Sequence, residues 1–123
     1  MKRIWLAVSL VFVFSANGPA WSSEDGAKLF KKHCGACHTI NKGGKKRQGP
    51  NLWGLFDRPM GSVDKFPYSK KLKASTDNWT PELLDKWLEK PKQVFSDTYM
   101  IYKQANPDIR AQLVKYVQEA SKE

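Results

Sequence analysis

Cys34-Gly35-Ala36-Cys37-His38 is the stretch on which the reading of this chain turns. Its pattern is C-x-x-C-H, the pattern of a c-type haem attachment site. Two thiols three positions apart reach the two vinyl groups on one edge of a porphyrin and form two thioethers. His38, the next residue, then offers an imidazole nitrogen to the iron as an axial ligand. Gly35 and Ala36 are small enough for the backbone to lie against the macrocycle. Three other readings of C-x-x-C compete: a thioredoxin-like redox pair, part of a zinc site, and a structural disulfide. Zinc needs four ligands. The chain has two cysteines and two histidines, and His33, beside Cys34, is badly placed to close a tetrahedron. A redox pair usually follows a strand, whereas the residues before Cys34 are patterned as a helix. A disulfide is the plain alternative for an exported chain.

Export is expected from the N-terminus. Lys2 and Arg3 form a positive start, residues 4–14 are apolar apart from Ser9, and Gly18-Pro19-Ala20 supplies small residues for a signal peptidase. Residues 1–20 are therefore expected to be a cleaved signal peptide, with cleavage after Ala20 or, second, after Ser22. The eleven apolar-region residues are too few to span a bilayer, which takes roughly 20. Residues 21–123 are left as one small domain. No acid lies in the leader, so losing Lys2 and Arg3 takes the basic residues from 21 to 19 and the formal charge from +9 to +7.

The remaining charge is uneven. Residues 26–56 hold seven basic residues (Lys28, Lys31, Lys32, Lys42, Lys45, Lys46 and Arg47) and no acid. Each lysine alone is ordinary solvated surface. Together, around the attachment motif, they suggest a docking surface for acidic partners. Nucleic acid is a poor candidate partner for an exported haem protein.

Local signals predict an all-α fold. Ser22 and Asp25 have capping-box spacing before a helix over 24–33. Asn106-Pro107 opens a last helix with Ile109, Leu113, Tyr116, Val117 and Ala120 at helical spacing. That stripe is read as packing, crossing the first helix with Tyr116 near Gly26. A third helix starts at Thr80-Pro81-Glu82 and stops before Pro91; a short turn of helix is expected over 69–74. Residues 39–67 have little periodicity. Such a long irregular stretch is unusual unless a large apolar cofactor supplies the core it wraps. Leu52, Trp53, Leu55, Phe56 and Phe66 are its expected wall.

Six-coordinate electron-transfer haem has Met or His opposite the first ligand. His33 adjoins the motif and cannot reach the far face. Beyond the leader there are two methionines, Met60 and Met100. Residue type and loop position favour Met100 without excluding Met60, which otherwise reads as an ordinary loop residue.

Further stretches carry a family resemblance: Gly26 with Phe30, the C-x-x-C-H motif, Gly49-Pro50-Asn51-Leu52-Trp53-Gly54-Leu55-Phe56, Phe66-Pro67-Tyr68-Ser69, Trp79, Lys90-Pro91-Lys92, Thr98-Tyr99-Met100, and residues 110–117. Over nearly the whole mature chain the sequence resembles the class I c-type cytochromes, in particular the mitochondrial-type monohaem form. The 62-residue gap from His38 to Met100 is that form's gap. The resemblance implies a cytochrome c fold, with N- and C-terminal helices crossing and long loops wrapped around one haem c held by Cys34 and Cys37. It implies Met100 as second ligand and the Pro50 carbonyl as acceptor from the His38 ring. Tyr68 and Trp79 are implied at one haem propionate with Arg58 nearby, Thr98 near the other, and Tyr102 at the haem edge.

Five positions depart from the family pattern. Ser96-Asp97 replaces Pro-Gly, from which a differently shaped or looser distal loop is expected. Trp87 replaces a Tyr near the ligand sulfur, which removes a hydroxyl and adds bulk. Leu72 replaces an Asn that helps hold a water, and Tyr99 replaces a lysine.

The expected function is a soluble, exported, monomeric one-electron carrier, not an enzyme, located in the periplasm and at most peripheral on a membrane. Its expected partners are acidic docking faces on a terminal oxidase, a bc-type complex or a periplasmic dehydrogenase. A peroxidase or gas binder would need an open distal site with an acid–base group, and Asp97 is the only nearby acid. A redox subunit dedicated to one dehydrogenase would share all this chemistry.

Overall fold

The computed structural model describes residues 11–15, 18 and 21–122; the expected cleavage at Ala20 lies outside them. Helix α1, Ser23–His33, starts from the expected capping box: the Ser22 hydroxyl accepts the Asp25 N–H at 3.2 Å, and the Asp25 carboxylate accepts the Ser22 N–H at 3.4 Å. Glu24 and Asp25 lie at its positive end and Lys31 and Lys32 at its negative end. The last helix is Pro107–Ala120, and its cap residue Asn106 accepts the N–H groups of Asp108 and Ile109.

These two helices pack against each other. The crossing needs a glycine: a Cβ on Gly26 would lie 2.8 Å from the Tyr116 Cβ. Phe30 and Tyr116 meet one turn on, with ring centroids 5.4 Å apart. The closeness of approach explains a glycine that costs about 1 kcal/mol in a helix interior.

Three short helices lie between them. Helix α2 is Lys70–Ala74, α3 is Pro81–Glu89 and α4 is Pro91–Val94, which makes the C-terminal helix α5. Thr80 caps α3 through the Leu83 N–H. Helix α4 departs from the expectation that Pro91 only ends a helix. A proline that blocks the preceding turn is also well suited to the first position of a new one, and Pro91 does both.

Arg110, buried on α5, pins this end of the molecule. Its guanidinium meets Asp85 of α3 at 2.9 Å and donates to the carbonyls of Gln104 and Ala105, both at 3.0 Å.

Residues 39–67 are irregular, as expected, apart from one 3-10 turn at Leu55–Asp57. Among the described residues there is no strand, only an isolated bridge between Pro59 and Asn78. No described helix is long and apolar enough to cross a membrane. Met60 corrects the sequence reading. It is not an ordinary loop residue but a core one, 3% exposed, with its sulfur 3.7 Å from the Ser75 hydroxyl.

Candidate functional site

The irregular loops and the inner faces of α1, α3 and α5 enclose a cavity of about 680 Å³. That lies within the roughly 300–1,000 Å³ usual for small-molecule sites. Cys34, Cys37, His38 and Met100 all line it, and Met60 does not.

The motif is placed by the end of α1. Cys34 and Gly35 both donate to the Phe30 carbonyl, at 2.7 and 2.9 Å, and His38 turns back to the Cys34 carbonyl at 2.9 Å. The His38 Nδ1 lies 2.8 Å from the Pro50 carbonyl. A carbonyl only accepts, so Nδ1 carries the proton and Nε2 keeps a lone pair. Burial holds the imidazole pKa below its usual value, opposed by that hydrogen bond. Gly49 lets the loop pass the ring: a Cβ there would run into the His38 imidazole.

The sulfurs are not joined in a disulfide. Burial pushes the Cys34 thiol up to about 12, and the neighbouring Cys37 adds to the rise. Such a site disfavours a thiolate, and so disfavours a reactive redox thiol. It suits a neutral sulfur. The Cys37 thiol donates to Gln48 at 3.3 Å.

Arg58, Tyr68, Trp79 and Thr98 also line the cavity. Arg58 spends three N–H groups on its own loop, bonding the carbonyls of Trp53 and Asn51 and the Ser62 hydroxyl. Two of its five remain. The Tyr68 hydroxyl accepts the Val63 N–H at 3.1 Å, and that of Thr98 accepts the Met100 N–H at 3.2 Å. Both keep an O–H to donate. Trp79 is buried, edge-on to Trp87 at 5.2 Å. Tyr102 is half-buried, edge-on to His33 at 5.9 Å.

Three expectations change here. Trp87 does not simply remove a donor: its indole N–H donates to the Met100 sulfur at 3.0 Å. The Ser96-Asp97 segment is tied to the start of α2 by two hydrogen bonds. The Asp97 carboxylate accepts the Lys71 backbone N–H at 3.0 Å, and the Lys71 ammonium reaches the Ser96 hydroxyl. Of the expected wall, Leu52, Leu55 and Phe66 line the cavity, but Trp53 and Phe56 do not. Phe56 packs on the core from outside, and Trp53 serves through its carbonyl.

Sequence reasoning also missed lining residues on the helices. Leu84 with Leu88, and Leu113 with Val117, form i, i+4 pairs facing the cavity. The α5 stripe does two jobs, since Tyr116 packs on α1 while its neighbours on the stripe turn inward. The signal was the pairs' spacing, which does not say what the stripe faces.

The donor set fits a haem. One imidazole with a free nitrogen, one thioether and two neutral sulfurs line a cavity that is otherwise largely apolar. A family model described as Cytochrome c matches residues 23–121. Cytochrome c of Theileria parva is 43% identical over 104 residues, covering 84% of this chain and 90% of the relative. Cytochrome c of Nigella damascena is 38% identical over 106 residues, covering 85% and 96%. That of Ginkgo biloba is 36% identical over 107 residues, covering 86% and 95%. Matched along its length and built around one haem-sized cavity, the chain belongs to the cytochrome c family, whose members are electron carriers, not enzymes, bearing one covalently attached haem c.

Proposed function

We propose that this chain is an exported monohaem carrier whose haem is attached through Cys34 and Cys37 and ligated by His38 and Met100. The observation that carries the reading is the single cavity shared by these four residues, with the Nδ1 of His38 already committed to Pro50. When bound, the haem iron supplies the one-electron couple. The protein's part is placement and tuning. The Pro50 carbonyl fixes the imidazole ring and directs Nε2 away from it. Met100 offers a soft sulfur whose basicity is lowered by the Trp87 N–H. The apolar lining favours the less charged iron state, and a thioether ligand acts in the same direction. His38 and Met100 would both hold the iron, so no ligand would need to leave during electron transfer. Arg58, Tyr68, Trp79 and Thr98 supply N–H and O–H groups for the haem carboxylates.

Lys31, Lys32, Lys42, Lys45 and Lys46 are exposed around the motif. Tyr99 and Ile101, 74% and 86% exposed, flank Met100 and line the same cavity. Exposed basic residues beside the motif and an exposed apolar pair beside Met100 suit an acidic docking face, such as one on a terminal oxidase, a bc-type complex or a periplasmic dehydrogenase. Removal of residues 1–20 and a periplasmic location complete the reading. They are checked by the mass of the exported protein, which should begin at Trp21.

The deciding experiment is an optical spectrum of the oxidised holoprotein. A low-spin spectrum with a weak sulfur-to-iron band is expected. A high-spin spectrum that binds carbon monoxide freely after reduction would replace the carrier reading with a gas binder or peroxidase.

A further inference from the structure

Met100 sits within residues 95–106, a strap without regular structure between α4 and α5. Few backbone bonds hold it. Thr98 donates to Phe95 within the strap, and Gln104 donates across to the Leu88 carbonyl at 2.8 Å. Between these two points the fixings are side-chain ones.

The fixing at 97 completes another element. Ser69 is the cap residue of α2, yet its side chain makes no capping hydrogen bond. The first N–H groups of a helix lack partners within it. The N–H of Lys71 is one of them, and it is met by the Asp97 carboxylate from 26 residues along the chain. The other Asp97 oxygen, Oδ1, and the Ser69 hydroxyl are buried without a partner. Chiefly the Lys71 backbone N–H holds the Asp97 carboxyl below the usual carboxylate range, against desolvation, which acts the other way. The Lys71 ammonium adds charge of the right sign and bonds Ser96.

We infer that Asp97 is a positioning residue for Met100, its carboxylate latching the distal strap to the start of α2 and setting how readily the sulfur yields its place to another ligand. This rests on the reading of Met100 as an axial ligand. Asp97 stands three residues before Met100, and the residue between 97 and 99, Thr98, is buried and holds the Met100 N–H. Release at 97 therefore passes to Met100 through a fixed turn. A competing ligand must lift the strap, and lifting it removes a charged acceptor from an N–H that α2 cannot satisfy itself.

The test uses ferric holoprotein carrying Asp97→Ala or Asp97→Asn beside wild type. Two readouts follow displacement of the sulfur: the pH midpoint at which the sulfur–iron band disappears, and the affinity for added imidazole. Loss of a charge-assisted bond should raise imidazole affinity about tenfold or more in Asp97→Ala, and lower the pH midpoint by about one unit. Asp97→Asn keeps a neutral acceptor and should fall between. Global denaturation midpoints separate the latch from general destabilisation, since a purely structural role would move them and leave both displacement readouts in place. Wild-type midpoint and imidazole affinity in Asp97→Ala would overturn the latch. A wild-type spectrum without the sulfur–iron band would instead remove the Met100 assignment, and the latch with it.

Discussion

His38 and Met100 line one cavity, yet the chain holds them by different means. His38 stands in the turn that follows an eleven-residue helix, its backbone bonded to Cys34 and its ring to Pro50. Its neighbours Cys34 and Cys37 are the attachment points. Met100 stands in an irregular strap fixed mainly by single side chains: Asp97 on Lys71, Trp87 on its sulfur, and Arg110 on the carbonyls of Gln104 and Ala105. One side is built from consecutive residues and repeated backbone bonds, which form together. The other is a set of separate long-range contacts, each removable alone. The distal side should therefore be where coordination fails first and where small sequence changes tune it.

The two methionines test this most strongly. Met60→Ala removes a buried core side chain and should cost about 2–5 kcal/mol of stability, with the optical spectrum unchanged in the molecules that remain folded. Met100→Ala should do the reverse, abolishing the sulfur–iron band and admitting carbon monoxide while leaving the haem attached. Chemical denaturation and spectra of both variants decide it. An unchanged band in Met100→Ala would break the comparison at its root.

Gly49→Ala challenges the proximal side. The added carbon meets the His38 ring, and overpacking of this kind costs about 1–3 kcal/mol. The expected signs are a lower yield of haem-loaded protein and weaker ligation on the His38 side, seen by resonance Raman of the iron–imidazole stretch. A variant with wild-type loading and stretch would show that the loop at 49 is freer than its backbone bonds imply.

Trp87→Phe sharpens the distal account with a smaller effect. It keeps an aromatic ring but withdraws the N–H from the Met100 sulfur, worth about 0.5–1.5 kcal/mol. A sulfur freed of that bond donates more strongly to iron and favours the oxidised state, so the reduction potential should fall. Voltammetry measures it; a rise would mean that the indole acts through bulk alone.

Charge reversal on the proximal surface should be smallest in stability. Lys32→Glu, Lys42→Glu and Lys46→Glu alter exposed side chains and should each change stability by less than about 0.5 kcal/mol. Their effect belongs to association. Electron transfer to an acidic partner should slow, and its dependence on salt should flatten. Stopped-flow rates at several ionic strengths separate this from a change in the haem site.

Much of the fold was legible because its signals are local. Capping groups and prolines act on residues within one turn, so Ser22, Asn106, Thr80 and Pro107 mark helix starts in any context. The attachment motif is legible for the same reason, since five consecutive residues hold its chemistry. Gly26 against Tyr116 was readable because a glycine inside a helix demands a close neighbour.

The rest depended on which segments meet. The sequence by itself determined the helices, the motif, the basic surround and a choice between two methionines. Only the tertiary structure decided that Met60 goes to the core. It also decided that Trp87 presents an N–H to the sulfur, that the α5 stripe divides between a helix and the cavity, and that Asp97 caps α2. Hydrogen-bond donors and acceptors 13 and 26 residues apart, as in the pairs 87–100 and 71–97, leave no mark in either segment alone. Their partners are selected by the geometry of packing, which fixes the strap only once the helices and the cavity beneath it are in place.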